Sequence, residues 1–328
     1  MTADERQPAS GFALRDPYPW TELVDLARQG EALGYEALFM PETGARDVLA
    51  ALTGLAGETD RLLLGSGVVP VPSRAPQLLA AAAATAQERS GGRLLLGLGA
   101  GPSVPGALDR LSAVIDAVRS LLRSGAATFE GRELGLGLVP PTPPPIWLAA
   151  LGPKAVRLAG AKADGVLLNW CTPERVHQAR QEVAEGARAA GRDPADVTIG
   201  VYIRACLDPD AMAAIAAVQA MVGQYASYPA YGRQFASMGF ADDAEQAAAA
   251  WGAGRPQDVP ERLARAICLV DAGEARERLD DYRRAGADLP VVYPIVAPGG
   301  PPAVSAAATI RELAPGGGLA DGGGAGSI

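Results

Sequence analysis

RLLLGSGVVPVPSRAPQLLAAAAATAQERSGGRLLLGLGAG, residues 61–101, decides the fold of this chain. Two short apolar runs, Leu62-Leu63-Leu64 and Leu94-Leu95-Leu96, each pass into closely spaced glycines, and an alanine-rich segment of helical length lies between them. The order is strand, helix, strand. Neither strand alternates apolar with polar residues, so both faces are expected to be buried, as in a parallel sheet covered by helices. The glycines fall at the carboxyl ends of the strands, where a backbone turns sharply or lies close to a ligand. In repeated β/α folds that end carries the site.

The same alternation extends in both directions. Strands are expected at Gly11–Leu14, Tyr35–Met40, Leu62–Val68, Arg93–Leu98, Ile146–Ala150, Val166–Asn169, Val197–Arg204 and Leu289–Ile295. Helices are expected over Trp20–Leu33, Asp47–Glu58, Gln77–Arg89, Ala107–Arg123, Lys154–Ala161 and Glu274–Ala285, with another opening near Pro173. Gly34 suits a helix end and Pro173 a first turn. TFEGRELGLGLV, from Thr128, reads as a small hairpin ahead of the stiff proline-rich run at Pro140–Pro145. Eight strands with right-handed crossovers close most simply into an α/β (β/α)8 TIM barrel, here one domain over residues 1–314. The stretch of about 207–267 is too long for an ordinary loop and reads as a helical insertion after strand seven, at the active-site rim. Residues 315–328, PGGGLADGGGAGSI, have the composition of a disordered tail.

Composition narrows the function. The net charge is -8 and no basic face is visible, which excludes DNA and RNA as expected partners. No run of about 18 apolar residues is present to cross a bilayer, and the polar start MTADERQPAS is unlike a secretory signal. Cys171, Cys206 and Cys268 are far apart and odd in number, as expected of reduced thiols in a cytoplasmic protein. His177 is the only histidine and lies in a segment that reads as an exposed helix, so no metal site or histidine-based triad is expected. The expected partners are a small-molecule or modified-peptide substrate and further copies of the chain, as a homodimer or higher homo-oligomer.

Four strand ends stand out: Pro41-Glu42-Thr43-Gly44, Gly65-Ser66-Gly67-Val68, Gly97-Leu98-Gly99-Ala100-Gly101 and Ala149-Ala150-Leu151-Gly152-Pro153-Lys154. Taken singly, each is an ordinary way for a strand to end. The last carries more, because a strand passing through Gly-Pro-Lys straight into a helix offers free backbone donors and the positive end of the dipole to an anion, with Lys154 beside it. In an acidic protein, one such socket suits the phosphate of a bound cofactor.

Taken together, PE after strand two, GSGVVPVPSRAP after strand three, SGGRLLLGLGAG at strand four and ALGPKAVRLAGAKADGVLLN across strands five and six resemble the bacterial luciferase-like flavin and deazaflavin superfamily. Within it, the chain is most similar to the F420-dependent methylenetetrahydromethanopterin reductase branch. The resemblance covers roughly residues 11–204 and 271–314. It implies a non-proline cis peptide at Gly67-Val68, in a Gly65–Val68 bulge that backs a deazaflavin ring. It further implies that Gly99, Ala100 and Gly101 lie along the cofactor and that Ala150, Leu151, Gly152, Pro153 and Lys154 hold its phosphate. By the same resemblance Glu42 lies near the ring edge and Asn169 in the same pocket. Three departures stand out. Thr43 replaces a histidine frequent in relatives, Pro102-Ser103 replaces a glutamate of the sugar-phosphate dehydrogenases, and Gly11–Leu14 lacks the glutamate of the pterin reductases.

The implied reaction is hydride transfer between reduced F420 and a small organic substrate, reducing C=C or C=N, with the barrel supplying orientation and dryness. Glu42 is the candidate proton donor. Arg204, Tyr202, Tyr225 and Tyr228 are candidates for orienting substrate, with rim packing as the plainer role for the tyrosines. Arg74 is expected to tie down its loop, and Trp170 and Trp251 to wall the pocket or fill core. Two other readings are an FMN-dependent two-component monooxygenase and a catalytically silent barrel that binds a partner.

Overall fold

The computed structural model describes residues 9–15 and 18–316. Eight parallel strands pair in chain order: β1 Gly11–Ala13, β2 Ala37–Met40, β3 Leu63–Ser66, β4 Leu94–Gly99, β5 Ile146–Ala149, β6 Gly165–Asn169, β7 Thr198–Ala205 and β8 Leu289–Pro294. β8 pairs back onto β1, with Gly11 opposite Val291, and the ring closes. Following the register once round from Gly11 returns to β1 displaced by eight residues. That is the stagger at which eight strands enclose a side-chain-filled interior.

The leucine run of β4 shows why its strand lacks alternation. Leu94 and Leu96 face the helices while Leu95 faces the axis, and both sides are apolar. Inside the barrel, Phe39, Trp147 and Tyr202 supply bulk, and glycines make room for them. A methyl on Gly65 would lie 2.4 Å from the Phe39 ring, one on Gly165 2.4 Å from Trp147, and one on Gly200 2.6 Å from Trp147. Close packing of this kind leaves no slack for a larger residue at those three positions.

The crossovers are helical: α1 Trp20–Ala32, α2 Val48–Leu55, α3 Pro76–Arg89, α4 Ala107–Ser124, α5 Pro153–Lys162 and α6 Pro173–Ala189. Asp47 and Thr172 cap α2 and α6 through their side-chain oxygens, and Gly125 ends α4 at φ +76. α4 leads into an antiparallel hairpin, Ala126–Phe129 with Arg132–Gly135, whose turn residues Glu130 and Gly131 both have positive φ. α5 and α6 approach through glycine, since methyls on Gly160 and Gly186 would lie 2.2 and 2.0 Å from facing backbone oxygens.

The long excursion is helical, as expected. It comprises α7 Ala211–Ala226, α8 Pro229–Ser237, α9 Ala241–Gly252 and α10 Glu261–Ile267, and a short strand, Cys268–Leu269, then joins the β7 edge. The excursion has an apolar core of its own, including Ile215, Val218, Val222, Phe235 and Leu263, into which Trp170 inserts from the barrel. Trp170 is therefore core, whereas Trp251 is 37% exposed. α11 Ala272–Arg284 precedes β8, and α12 Pro302–Glu312 follows it. Strand three ends at Ser66, short of the expected Val68. The expected tail lies, from residue 317 onward, outside the described residues. Among the described residues no helix is long and apolar enough to cross a membrane.

Candidate active site at the barrel mouth

The chain breaks step immediately after β3. The Gly67-Val68 peptide is cis, and the ladder onto β4 resumes only at Val69, opposite Leu98. At the break, the Ser66 hydroxyl donates to the Gly97 carbonyl at 3.0 Å and accepts from the Gly97 N–H at 2.9 Å. Gly67 N–H donates to the Met40 carbonyl at 2.8 Å. Its carbonyl accepts from the Tyr202 hydroxyl at 3.1 Å, which reaches across from β7. The result is a backbone bulge held from three sides.

The strand-end glycines make room for neighbouring protein atoms. The space a side chain would take is filled by Phe39 at Gly65, by the Tyr202 hydroxyl at Gly67 (1.8 Å), by the Ser66 carbonyl at Gly97 (1.9 Å) and by Val68 at Gly99 (2.6 Å). Ser66 is fully buried and spends its hydroxyl on β4. Tyr202 likewise spends its hydroxyl on the bulge and has no free donor for a substrate. Gly101, at φ +75, turns the chain outward, and Ala100 packs against the outer core.

One inward-facing position beyond Tyr202 on β7 lies Arg204, only 3% exposed. Its Nη1 donates to Asn169 Oδ1 at 2.5 Å, and Asn169 Nδ2 donates to the Tyr231 hydroxyl at 3.2 Å. The guanidinium carbon is 4.0 Å from the Tyr293 ring centre and 4.4 Å from that of Trp170, within the range of cation–π attraction. Tyr225 packs at a tilt against Trp170, ring centres 4.7 Å apart, and meets Tyr231 edge-on at 4.8 Å, with Tyr228 half-exposed at the outer end. Gln234 of α8 donates to the carbonyls of Asn169 and Trp170 at 2.6 and 2.7 Å, holding Trp170 at its positive φ. Burial pushes the phenols of Tyr231 and Tyr293 up to about 12 and that of Tyr202 well above 10, so all three are neutral near pH 7.

Tyr231, Tyr293 and Gln234 were not anticipated from sequence. Tyr225, Tyr228 and Tyr231 recur every three residues across the junction of α7 and α8, a cluster that signals the first. Tyr293 shares the inward parity of Leu289 and Val291, which signals the second.

On the rim, Glu42 occupies the expected strand end, but both of its oxygens accept from Arg74 Nη2, at 2.9 and 2.8 Å. Arg74 Nη1 donates to Asp47 at 2.8 Å, so the arginine ties its loop to the β2–α2 turn, as expected of it. Partial burial works against the Arg74 charge, yet the hydrogen bonds to Asp47 and Glu42 more than offset it and hold its pKa above the ordinary value. Both Glu42 oxygens are thus engaged by Arg74.

Gly152-Pro153-Lys154 opens α5 on the same rim. All three are exposed, and a methyl on Gly152 would touch nothing. Lys154 makes no ion pair among the described residues. Behind this turn, Ala150 is buried and the Leu151 carbonyl accepts from Arg175 at 3.2 Å. Arg175 is itself buried and paired with Glu182 at 2.8 Å. His177 is exposed on α6 beside Gln181. A cleft of about 860 Å³ lies away from the mouth, between α4 and the hairpin, and is lined by Asp109, Arg110, Asp116 and Phe129 among others. It lacks the convergent buried polar groups that mark the mouth.

The profile of the luciferase-like monooxygenase family matches residues 4–289. The 5,10-methylenetetrahydromethanopterin reductase of Methanolobus tindarius is 32% identical over 218 residues, 62% of this chain and 67% of that protein. The F420-dependent glucose-6-phosphate dehydrogenase of Beutenbergia cavernae is 29% identical over 243 residues, 64% of this chain and 70% of that protein. The solved structure of the coenzyme F420 dependent tetrahydromethanopterin reductase of Methanopyrus kandleri superposes with a TM-score of 0.76 at 23% identity, covering 95% of this chain and 99% of that one, a likeness of fold.

Proposed function

This chain belongs to the luciferase-like monooxygenase family, and from that premise we propose that it is an F420-dependent oxidoreductase acting on a small organic substrate at the barrel mouth. The observation that carries the reading is the bulge: a stretch of backbone presented at the mouth, locked by Tyr202, Ser66 and Met40 and backed by Val68 on glycine. That is a rigid platform for a planar ring. The socket at Gly152–Lys154, open and with a lysine that pairs with no acid among the described residues, suits the cofactor's phosphate. When bound, F420 supplies two-electron hydride chemistry.

The chain's own residues then have separable tasks. Gly67 and Val68 support one face of the ring, and the α5 N-terminus with Lys154 anchors the phosphate. Asn169, Arg204 and Tyr231 face the mouth with polar groups, and α7 and α8 bring Tyr225 and Tyr231 over it, which helps to exclude water. Glu42 we assign to holding Arg74, and through it the loop that follows the bulge.

Titrating the purified protein with F420 and with FMN, followed by fluorescence, tests the reading. F420 is expected to bind at micromolar concentration or below and FMN more weakly. FMN binding at least as tight as F420 would overturn the reading in favour of an FMN-dependent monooxygenase.

A further inference from the structure

We propose that the substrate handled at this mouth carries a carboxylate and that Arg204 is the residue that receives it, an inference that rests on the hydride-transfer reading above and names its substrate class. Arginines withdrawn from solvent elsewhere in the chain spend their donors on acceptors: buried Arg175 pairs with Glu182, half-buried Arg74 pairs with Glu42 and Asp47, and half-buried Arg93 donates to carbonyls and to Thr59. Arg204 is as deeply buried as Arg175, yet no carboxylate pairs with it among the described residues. Its surroundings are an amide oxygen and the rings of Trp170, Tyr202, Tyr225 and Tyr293.

A guanidinium withdrawn from water without a counter-charge is costly, and aromatic faces return only part of that cost. The chain has 37 acidic residues, so the lack of a partner does not reflect a lack of acids. Among the described residues only Nη1 has a protein acceptor, and the other donors of Arg204 are not sealed from solvent. Asn169 holds the guanidinium in place, because its Oδ1 faces Nη1 while its Nδ2 is committed to Tyr231.

The position fits a substrate. The bulge ends β3, Arg204 stands on β7, and these strands are on opposite sides of a ring of eight. Tyr202 crosses beneath, from β7 to the Gly67 carbonyl, and forms the floor between the two walls. A substrate lying between platform and guanidinium would have its charged end fixed at β7 and its body on aromatic rings. The planar fork of arginine matches a carboxylate through two parallel hydrogen bonds.

The test uses protein saturated with oxidised F420, titrated calorimetrically with benzoate and with benzamide, a pair of similar shape that differs in charge. In the parent, benzoate is expected to bind about tenfold or more tightly than benzamide, the lower end for a charge-assisted hydrogen bond. Arg204→Met should abolish that preference while F420 affinity stays within about threefold. Arg204→Lys should keep the charge, lose the fork and retain part of the preference, and it carries the test alone if the methionine variant does not fold. Equal affinities for benzoate and benzamide in the parent would overturn the proposal. So would tighter binding of inorganic phosphate than of benzoate, or a loss of F420 affinity in Arg204→Met that exceeds any loss for benzoate. A parent that fails to bind F420 but prefers benzoate to benzamide without it would remove the hydride-transfer reading and leave the carboxylate receptor standing.

Discussion

Replacing Gly67 by alanine should cost this protein about 2 to 4 kcal/mol, and the structure says where the cost arises. The added methyl would lie 1.8 Å from the Tyr202 hydroxyl, 2.9 Å from its Cζ and 3.2 Å from a methyl of Leu167. Gly67 is not among the residues with positive φ, so the backbone accepts alanine and the penalty comes from contact alone. Tyr202 cannot swing clear. It is 5% exposed and packs edge-on against Phe39 at 6.1 Å and Tyr293 at 5.1 Å. Overpacking of this kind costs about 1 to 3 kcal/mol, and the lost bond from Tyr202 to the Gly67 carbonyl adds about 1 kcal/mol. Tyr202→Phe removes the atom responsible and relaxes the shortest contact from 1.8 to 2.9 Å. Gly67→Ala should therefore cost at least about 1 kcal/mol less in the phenylalanine background, a coupling that urea unfolding of the four proteins in a double-mutant cycle measures. Additive effects, or a Gly67→Ala protein within about 0.5 kcal/mol of the parent, would refute the argument that Tyr202 pins the bulge.

Glu42→Gln should lower the melting temperature through the weakened tie to Arg74, while single-turnover hydride transfer per folded molecule changes by less than about threefold; a loss of about 10²-fold or more would restore Glu42 as the proton donor. Glu31 accepts backbone N–H bonds from Asp60, Arg61 and Leu62, which outweigh the effect of partial burial and hold its pKa below the ordinary 4.5. A depressed folded pKa stabilises in full above the unfolded value and is lost as pH falls through the folded one. The stability gap between the parent and Glu31→Gln should thus be full above pH 4.5 and close below it; urea midpoints with the same gap at pH 7 and pH 3 would contradict this. Gly186→Ala should destabilise by about 2 to 4 kcal/mol, because its methyl meets the Arg157 carbonyl at 2.0 Å and backbone cannot step aside; thermal unfolding within a degree of the parent would show that α5 and α6 can separate freely.

Much of the barrel was legible because its evidence is local. The eight apolar segments, the helix-ending glycines and the cap residues act within a few positions of themselves, and their order alone selects a closed parallel ring. The long excursion could likewise be read as helical from its length and alanine content. The resemblance located the cis peptide at Gly67-Val68, which the structure contains. Periodicity could not say why β3 stops at Ser66, because an apolar run reads the same whether or not a bulge interrupts it.

The packing partners of the strand-end residues appear only in the tertiary structure. Gly65, Gly97 and Gly99 look alike in sequence, yet one makes room for Phe39, one for the Ser66 carbonyl and one for Val68. Tyr202 meets Gly67 across 135 positions, and Glu42 meets Arg74 across 32. Arg175 finds its glutamate two turns along the same face of its own helix, whereas the fold surrounds Arg204 with an amide and aromatic rings from distant segments. Local sequence determines which segments become strands and helices, because backbone propensity and burial act on neighbours. Which side chain loses its partner, and so remains available to a ligand, depends on contacts between segments far apart in the chain, and those exist only once the barrel has closed.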